Sequence, residues 1–336
     1  MARPFISIPE SPAMHLPRTL LAAALSALVL HAAPALAQGA KPPVKLIVGY
    51  PAGGSADAVA RMVAEKLKDE LGTTVLVDNR PGAGGQIAAD FVRAAPADGS
   101  TVLVANSHMM VMLPLTSKAV KYDSTKDFQP VGRMTSFYEA IAVPVSLPAT
   151  RVDQWVALAK GDAKLASFGV PAAGSVSHFI GYQLGVNGKA ALQPIPYKGA
   201  APLVQDLLGG QVSAGILPIL DVVPHAQSGK LRVLAVNGPK RAQLLPAVPT
   251  LKELGVAGFE ALEWTALFMP RATPQTVVEQ FNTALRKVLA MPEIQERLTK
   301  LGMESHASTP GELGALVDSD LAVWGPIVKS SGFTVD

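Results

Sequence analysis

Residues 44–57 read Val-Lys-Leu-Ile-Val-Gly-Tyr-Pro-Ala-Gly-Gly-Ser-Ala-Asp, and this stretch indicates how the chain folds. Its first half, residues 44–50, is a short apolar run that predicts a buried strand. Residues 57–71 then bring apolar side chains onto one face of a helix. The glycines between the two segments predict a tight strand-to-helix turn, and Gly72 predicts the end of the helix.

The same alternation of short apolar runs and amphipathic stretches continues along the chain. A β-α-β-α-β order is typical of a mostly parallel sheet covered by helices, and a chain of this length favours two sheets over one. Residues 108–138 are less regular. We predict strands at 74–78, 101–106, 140–145, 165–170, 194–197, 212–217, 231–236 and 260–269. We predict further helices at 86–95, 152–160, 175–184, 202–208, 274–290, 292–301 and 310–328.

The first 37 residues have the pattern of a secretory signal peptide. Arg18 precedes an apolar run at 20–30, and Ala35-Leu36-Ala37 offers the small residues of a cleavage site. The run is shorter than the roughly 20 apolar residues that span a bilayer, although a buried helix or a membrane anchor is the alternative. We predict export to the periplasm with cleavage after Ala37, from a start at Met1 or Met14. Because no cysteine follows the cleavage site, a lipid anchor is excluded.

The composition narrows the function further. The chain contains no cysteine, which excludes disulfides, thiolate metal sites and a catalytic thiol. The net charge of +3 is small and evenly spread, so we expect no nucleic-acid partner. No metalloprotease, nucleophile-elbow or paired-acid motif occurs, and the histidines are scattered. We therefore expect a protein that is not an enzyme and that has no cofactor and no metal, and we expect a monomer.

Two glycine-rich turns could bind an anion. In each turn, at 51–57 and 171–178, a predicted helix follows, and its first N–H groups and partial positive charge favour an anion without any cationic side chain. If two sheets face each other, the two turns would lie on opposite sides of one ligand. The alternative is an ordinary tight turn, in which Ser55 or Asp57 caps the first helix and His178 packs or caps in the second. In a third turn, at 79–85, Arg80 is better explained by pairing with a carboxylate than by ligand contact.

At these residues the chain resembles a known family, the Bug or tripartite tricarboxylate transporter (TctC-like) solute receptors, from about residue 44 to the C-terminus. The segments that carry the resemblance are Tyr50-Pro-Ala-Gly-Gly-Ser-Ala-Asp57, Asn79-Arg-Pro-Gly-Ala-Gly-Gly85, Ala97-Asp-Gly-Ser-Thr101, Gly174-Ser-Val-Ser-His178, Tyr197-Lys-Gly199, Asp206-Leu-Leu-Gly-Gly-Gln211, Ser228-Gly-Lys-Leu-Arg232, Val248-Pro-Thr250 and Trp264.

The resemblance implies an α/β fold of the type II periplasmic-binding-protein class, with two lobes, a ligand cleft and two hinge strands. After the signal peptide at 1–37, lobe 1 would hold 38–138 and 261–336, and lobe 2 would hold 139–260. The residues that it places at the ligand are Tyr50, Ala52, Gly53, Gly54, Ser55, Asp57, Asn106, Ser107, Gly174, Ser175, Ser177, His178 and Asp221.

The implied function is capture of a small carboxylate between closing lobes for the membrane permease subunits of a tripartite transporter. A di- or tricarboxylate, an amino acid and an aromatic acid all remain possible ligands. Two other roles stay open: a sensor component that signals to a kinase, and a hydrolase that uses His178 with Ser175 or Ser177. It is also open whether Asp221 and the bulky methionines at 109, 110 and 112 line the pocket or belong to the core.

Overall fold

The computed structural model describes residues 42–335, whose strands form two separate sheets. The strands are β1 Val44–Val48, β2 Val75–Asn79, β3 Thr101–Asn106, β4 Phe128–Phe137, β5 Glu139–Pro144, β6 Ser167–Val170, β7 Gln193–Pro196, β8 Ala214–Pro218, β9 Leu231–Val236, β10 Glu263–Pro270 and β11 Glu304–Ser305. The helices are α1 Ser55–Leu71, α2 Gln86–Arg93, α3 Leu113–Thr116, α4 Val152–Gly161, α5 Val176–Gly188, α6 Ala200–Leu208, α7 Ile219–Gln227, α8 Gln275–Ala290, α9 Pro292–Lys300 and α10 Pro310–Ser331.

The first sheet has the strand order β11-β4-β10-β3-β1-β2. Strand β1 lies parallel to both β2 and β3, as the β-α-β-α-β pattern predicts. Strand β10 returns from far along the chain and pairs antiparallel with β3 and β4. The apolar faces of α1 and α8 pack on this sheet around a core that includes Leu46, Leu67 and Leu285.

The second sheet has the strand order β7-β6-β8-β5-β9. Strand β6 lies parallel to β7 and β8, and β5 lies antiparallel to β8 and β9. Helices α4 and α5 cover one face of this sheet around the fully buried Trp155, Phe168 and Phe179. Helices α6 and α7 cover the other face.

Two stretches of chain connect the sheets. Strand β4 of the first sheet ends at Phe137 and β5 of the second begins at Glu139, so the first crossover consists of one residue, Tyr138. The return crossover is the segment 237–262, which ends where Glu263 opens β10. The strands of the first sheet fall within 38–138 and 261–336 and those of the second within 139–260. The lobe boundaries themselves stay a prediction.

The sequence-based elements agree with most of the structure, and the exceptions have local causes. The less regular stretch 108–138, in which no strand was predicted, contains the ten-residue strand β4. Pro130 and Gly132 obscure the strand pattern, and the register against β10 shifts twice. Helix α7 was missed because Pro224 lies inside it, and β11 was missed because it has only two residues.

The methionines at 109, 110 and 112 lie in a short π-helical segment, His108–Met112, and their side chains are fully buried in the core. Of the two interpretations left open by the sequence, the structure shows core packing. The predicted signal peptide, its cleavage after Ala37 and the alternative start at Met14 lie outside the described residues. Within residues 42–335, no helix combines the length and the apolar character that crossing a membrane requires.

Candidate functional site

The turn between β1 and α1 is the most exposed of the predicted anion-binding segments. All five residues from Pro51 to Ser55, Ala52 among them, are exposed to solvent. Gly54 is the residue before the helix in an extended conformation, and no side chain caps the helix. The first N–H groups of an uncapped helix have no partner within the helix, so this end of α1 can accept an anion.

Asp57 holds this turn in shape. Its buried carboxylate accepts hydrogen bonds from the backbone N–H of Gly53 at 2.9 Å, from Asn79 at 2.9 Å and from Arg61 at 3.0 Å. The bond with Arg61 is the main cause that lowers the pKa of Asp57 to about 2. The sequence placed Asp57 and Gly53 at the ligand. The structure shows that their polar groups are already bonded to each other and to the turn.

Tyr50 connects this turn to the end of β3. Its hydroxyl donates to Oδ1 of Asn106 at 2.9 Å, and the amide of Asn79 donates to its backbone carbonyl at 3.1 Å. Burial raises the pKa of Tyr50 well above its usual range, so the phenol stays protonated. Two predicted site residues, Tyr50 and Asn106, are therefore brought together.

Arg80 in the neighbouring turn plays a structural part. Its guanidinium pairs with Asp78 at 3.0 Å and lies 3.6 Å from the centre of the Phe91 ring. The interpretation of Arg80 as a carboxylate partner is confirmed.

The turn before α5 is more enclosed than the turn before α1. Ser175 caps the helix, because its hydroxyl oxygen accepts from the backbone N–H of His178 at 3.3 Å and donates to the carbonyl of Ala172 at 2.8 Å. The backbone N–H of Gly174 donates to Nδ1 of His178 at 3.1 Å. The exposed part of this turn is Ala172 and Ala173.

The ring of His178 is packed between aromatic side chains. It stacks on Phe179 with ring centres 5.0 Å apart and meets the edge of Phe333 at 4.7 Å. Burial lowers the pKa of His178, so the imidazole is neutral near pH 7. This arrangement matches the packing and capping alternative for His178, and Phe333 is a neighbour that sequence analysis missed.

Four side chains form a buried junction network where the two sheets meet. Ser107 follows β3 in the first sheet and its hydroxyl donates to Glu263 at 2.8 Å. Ser177 in α5 donates to Glu139 at 2.7 Å. Sequence analysis predicted the two serines but missed both glutamates, which each stand at the beginning of an apolar strand.

Asp221 lies in the first turn of α7 and is half-buried. Desolvation raises its pKa to about 6, and its negative charge in turn helps to raise the pKa of Glu139. Asp221 therefore acts electrostatically on the junction network from α7, a helix that covers the second sheet.

A groove of about 560 Å³ lies elsewhere, between the start of α4, the end of α5 and the loop 254–257. Arg151, Lys160 and Asn187 line it together with apolar side chains. It shares no residue with the predicted site. The turns at 51–57 and 172–178 and the junction network therefore remain the candidate site.

A family model for the tripartite tricarboxylate transporter family receptor matches residues 59–333. The chain belongs to this family. The match begins inside α1 and includes both crossovers, so of the described residues it leaves out residues 42–43, β1, the turn after β1, the first four residues of α1 and residues 334–335.

Two relatives from Bordetella agree with this assignment. The receptor is 32% identical to protein BugT of Bordetella pertussis over 291 residues, which are 86% of this chain and 89% of BugT. It is 36% identical over 298 residues to a UPF0065 protein of Bordetella bronchiseptica, with 89% and 88% of the two chains covered.

Solved structures show the same fold. A Rhodopseudomonas palustris protein, Rpa4515 with adipate, superposes with a TM-score of 0.77 at 31% identity, over 88% of this chain and 98% of the other. MatC of the same organism, with bound malate, superposes with a TM-score of 0.73 at 28% identity, over 86% of this chain and 99% of MatC. The periplasmic binding protein BugD superposes with a TM-score of 0.73 at 33% identity, over 88% of this chain and 99% of BugD. The chain has the two-lobed α/β fold of periplasmic binding proteins, and its role is periplasmic solute binding.

The geometry gives the hydrolase hypothesis no support. The ring nitrogen Nδ1 of His178 is bonded to the backbone of Gly174, and the hydroxyl of Ser177 is bonded to Glu139. A general base must reach the hydroxyl of its nucleophile, and the bonds of these side chains point to other partners.

Proposed function

We propose that this receptor captures a small dicarboxylate in the periplasm and presents it to the membrane subunits of a tripartite tricarboxylate-type transporter. One carboxylate of the ligand binds the N-terminus of α1. The observation that carries this proposal is the exposed turn 51–55 before a helix that no side chain caps.

The electrostatics of this turn favour an anion. The negative charge of Asp57 is balanced by Arg61 and by hydrogen bonds from the backbone N–H of Gly53 in the turn and from the side chain of Asn79 at the end of β2, so it does not repel a ligand carboxylate strongly. The helix end contributes a partial positive charge that is effective only within its first turn. A ligand carboxylate that reaches the N–H groups near Ser55 and Ala56 lies within this first turn and is not strongly repelled by Asp57.

The second end of the ligand would meet the turn before α5. The side chains of Ser177 and His178 have internal partners, so the exposed backbone at Ala172 and Ala173, beside Gly174 and Ser175, is the part that we assign to the ligand. Adipate and malate in the two relatives are both dicarboxylates, which supports a ligand with an anionic group at each end.

Closure of the two lobes, 38–138 with 261–336 and 139–260, would bring the two turns together and exclude water. The ligand stabilises the closed state only by binding it more tightly than the open state. We further propose that the signal peptide 1–37 is cleaved after Ala37 to release this soluble receptor.

The ligand class is tested with the chain that begins at Gln38, purified under native conditions. Mass spectrometry of the denatured protein identifies what co-purifies, and thermal unfolding is measured with adipate, malate, citrate, glutamate and benzoate. A true ligand at about 100 times its dissociation constant stabilises by about 2.7 kcal/mol. Saturable stabilisation by a dicarboxylate supports the proposal, and stabilisation by benzoate alone would contradict the ligand class.

The binding turn is tested with Gly54→Val. Gly54 has an extended backbone with φ of −78°, and a Cβ there would approach only the Pro51 carbonyl, at 3.4 Å, so the fold tolerates the change. We expect at least a tenfold loss of affinity, because the valine occupies the position of the carboxylate. Gly161→Val is the matched control, since a Cβ at that exposed residue meets nothing within 4 Å. Unchanged affinity in Gly54→Val would refute the site.

Gly174 is not a suitable position for the same test. Its φ of +69° is strained for any side chain, and a Cβ would lie 2.9 Å from the ring of Phe333. A substitution there would disturb the fold together with the ligand contact.

A further inference from the structure

Glu139 and Glu263 stand side by side where the chain crosses between the sheets. Glu139 opens β5 directly after the first crossover, and Glu263 opens β10 directly after the return crossover. Their exposed fractions are only 1% and 9%. Asn237 links the two crossovers by hydrogen bonds. Its side chain accepts from the backbone N–H of Glu139, next to the first crossover, at 2.7 Å and donates to the carbonyl of Ala261, in the return crossover, at 2.6 Å.

The strand register brings the two carboxyl groups close together, because Glu263 pairs with Phe137 at the end of β4, two residues before Glu139. Each carboxyl group changes the pKa of the other. Each also accepts one serine hydroxyl, from Ser177 to Oε2 of Glu139 and from Ser107 to Oε2 of Glu263. The other oxygen of Glu139, Oε1, is buried and has no N–H or O–H donor among the described residues. A bond between two carboxyl groups requires a proton on one of them.

The surroundings disfavour two negative charges at this place. Asp221 from α7 raises the pKa of Glu139, and Glu263 raises the pKa of Asp320, whose carboxylate accepts from the indole N–H of Trp264 at 2.8 Å. The charge of Glu263 also contributes to the raised pKa of Tyr50. The positive charge of Arg133, which is itself partly buried, acts to lower the pKa of Asp320.

His178 follows Ser177 on α5, but its ring lies between Phe179 and Phe333 and its pKa is lowered by burial. The lowered pKa disfavours the charged imidazolium, so His178 adds no positive charge to the pair at neutral pH. Burial and the mutual repulsion raise the pKa of Glu139 well above its usual range, and burial raises that of Glu263. Two carboxylates that share a dry site cannot both ionise easily.

We propose that Glu139 and Glu263 share a single proton and that this acid–carboxylate pair positions Ser107 and Ser177 on the two sides of the junction between the lobes. Glu139 carries the proton on Oε1 and donates it to Glu263, so every buried oxygen of the pair is satisfied. Loss of the proton leaves two unpaired buried anions at the crossovers, and the junction loosens.

The proton makes stability depend on pH in a defined direction. Because the pKa is raised in the folded protein, the folded state holds the proton more tightly than the unfolded chain does. The stabilisation is complete below about 4.5, the pKa of an ordinary glutamate, and is lost as the pH rises through the raised pKa of the pair. Asp221 and Asp320 titrate near 6. Because these two groups also lose a proton as the pH rises, a pH dependence is assigned to the pair only where Glu139→Gln or Glu263→Gln removes it.

The shared proton is tested by carbon NMR of the full mature chain labelled with ¹³C at the glutamate carboxyls. At pH 7.5 we expect one neutral carboxyl signal among otherwise ionised glutamates. Glu139→Gln removes it, because the amide N–H replaces the acid as donor to Glu263, and Glu263→Gln removes it in the same way from the other side. Glu279→Gln, at an exposed position of α8, leaves it in place. Wild-type protein whose glutamates are all ionised at pH 7.5 would overturn the proposal.

The positioning role is tested by urea unfolding from pH 7 to pH 9. Wild type and Glu279→Gln lose stability with rising pH, whereas Glu139→Gln and Glu263→Gln show a flatter dependence and unfold at equal or higher urea concentration at pH 9. Equal slopes in all four proteins would overturn the positioning role.

A ligand measurement adds a further readout and rests on the proposed function. The affinity of the wild type for a stabilising dicarboxylate falls between pH 7 and pH 9 and that of Glu139→Gln does not. Absence of any dicarboxylate binding would refute the proposed function and leave the NMR result unaffected, so the two failures are distinguishable. A neutral carboxyl signal with a pH-independent wild-type affinity would refute the link between the proton and the cleft.

Discussion

The backbone N–H of Gly53 donates to the carboxylate of Asp57 at 2.9 Å, across the turn that leads into α1. The sequence pattern predicted that this N–H group would bind the ligand, but in the structure it is bonded to Asp57. It also fixes the path of the chain, so that the exposed residues up to Ser55 form a defined surface before the helix. Asp57 therefore shapes the turn that we propose as the anion site, and its carboxylate is already bonded within the protein.

Replacement of Asp57 by alanine should destabilise the protein by about 2 kcal/mol, since Gly53, Asn79 and Arg61 lose a buried, charged acceptor. The lowered pKa of about 2 means that this stabilisation is present above pH 3.8 and is lost as the pH falls through 2. Urea unfolding of wild type and Asp57→Ala at pH 7 and pH 2 checks both points. A difference in stability that is the same at the two pH values would contradict the assignment to the ionised carboxylate.

Gly49 and Met109 should show strong energetic coupling. A Cβ at Gly49 would lie 2.7 Å from the Met109 side chain and 2.8 Å from the backbone of Gly85, and only the methionine can move aside. We expect Gly49→Ala to cost about 1–3 kcal/mol, as overpacked cores do. In a double-mutant cycle, Met109→Ala should recover part of that cost, because the contact with Gly85 remains. Full additivity of the two changes in urea unfolding would show that they do not compete for space.

The fold was largely predictable because its signals are local. Each parallel strand and its helix, from β1 to β3, lies within a few dozen residues and shows its own periodicity, and the glycine-rich turns stand out at their boundaries. Strand β4 escaped because Pro130 and Gly132 interrupt that periodicity while pairing with β10 still holds the strand in the sheet.

The candidate site was predictable only in part, because its decisive contacts join residues that are remote in the chain. The sequence pointed to Ser107 and Ser177, yet each is defined by a glutamate on a different strand. Glu139 and Glu263 do not belong to any sequence motif. They become neighbours only because the two crossovers between the sheets lie side by side in the fold. Phe333 likewise reaches His178 from the end of the chain.

Phe333 should stabilise the turn before α5. Its ring meets the edges of His178 and Phe179 with centres 4.7 and 5.8 Å away. Aromatic pairs of this kind contribute about 0.5–1.5 kcal/mol each, so Phe333→Ala should cost about 1–3 kcal/mol. Val335→Ala is the control, because Val335 is exposed and its backbone bond to Thr116 survives the change.

The location of the effect of Phe333 is checked by hydrogen exchange. Amides at 172–182 should exchange faster in Phe333→Ala than in wild type or Val335→Ala, while α8 remains unchanged. Uniform faster exchange over the whole chain would show that the ring supports global stability and not this turn.

Asp320 should make the protein less stable as the pH rises, because burial raises its pKa to about 6. The folded state holds this proton more tightly than the unfolded chain, so the stabilisation is complete below 3.8 and is lost as the pH rises through about 6. Asp320→Asn keeps an oxygen for the Trp264 indole but cannot ionise. Relative to wild type, its free energy of unfolding should rise by about 2–3 kcal/mol between pH 4 and pH 7.5 in urea unfolding.

Asp318→Asn, at an exposed position of the same helix, is the control and should show no such gain. Both variants retain Glu139 and Glu263, and because the charge of Glu263 contributes to the raised pKa of Asp320, part of the gain reflects that interaction. Equal gains in the two variants would mean that the effect arises from the net charge of the protein and not from the burial of Asp320.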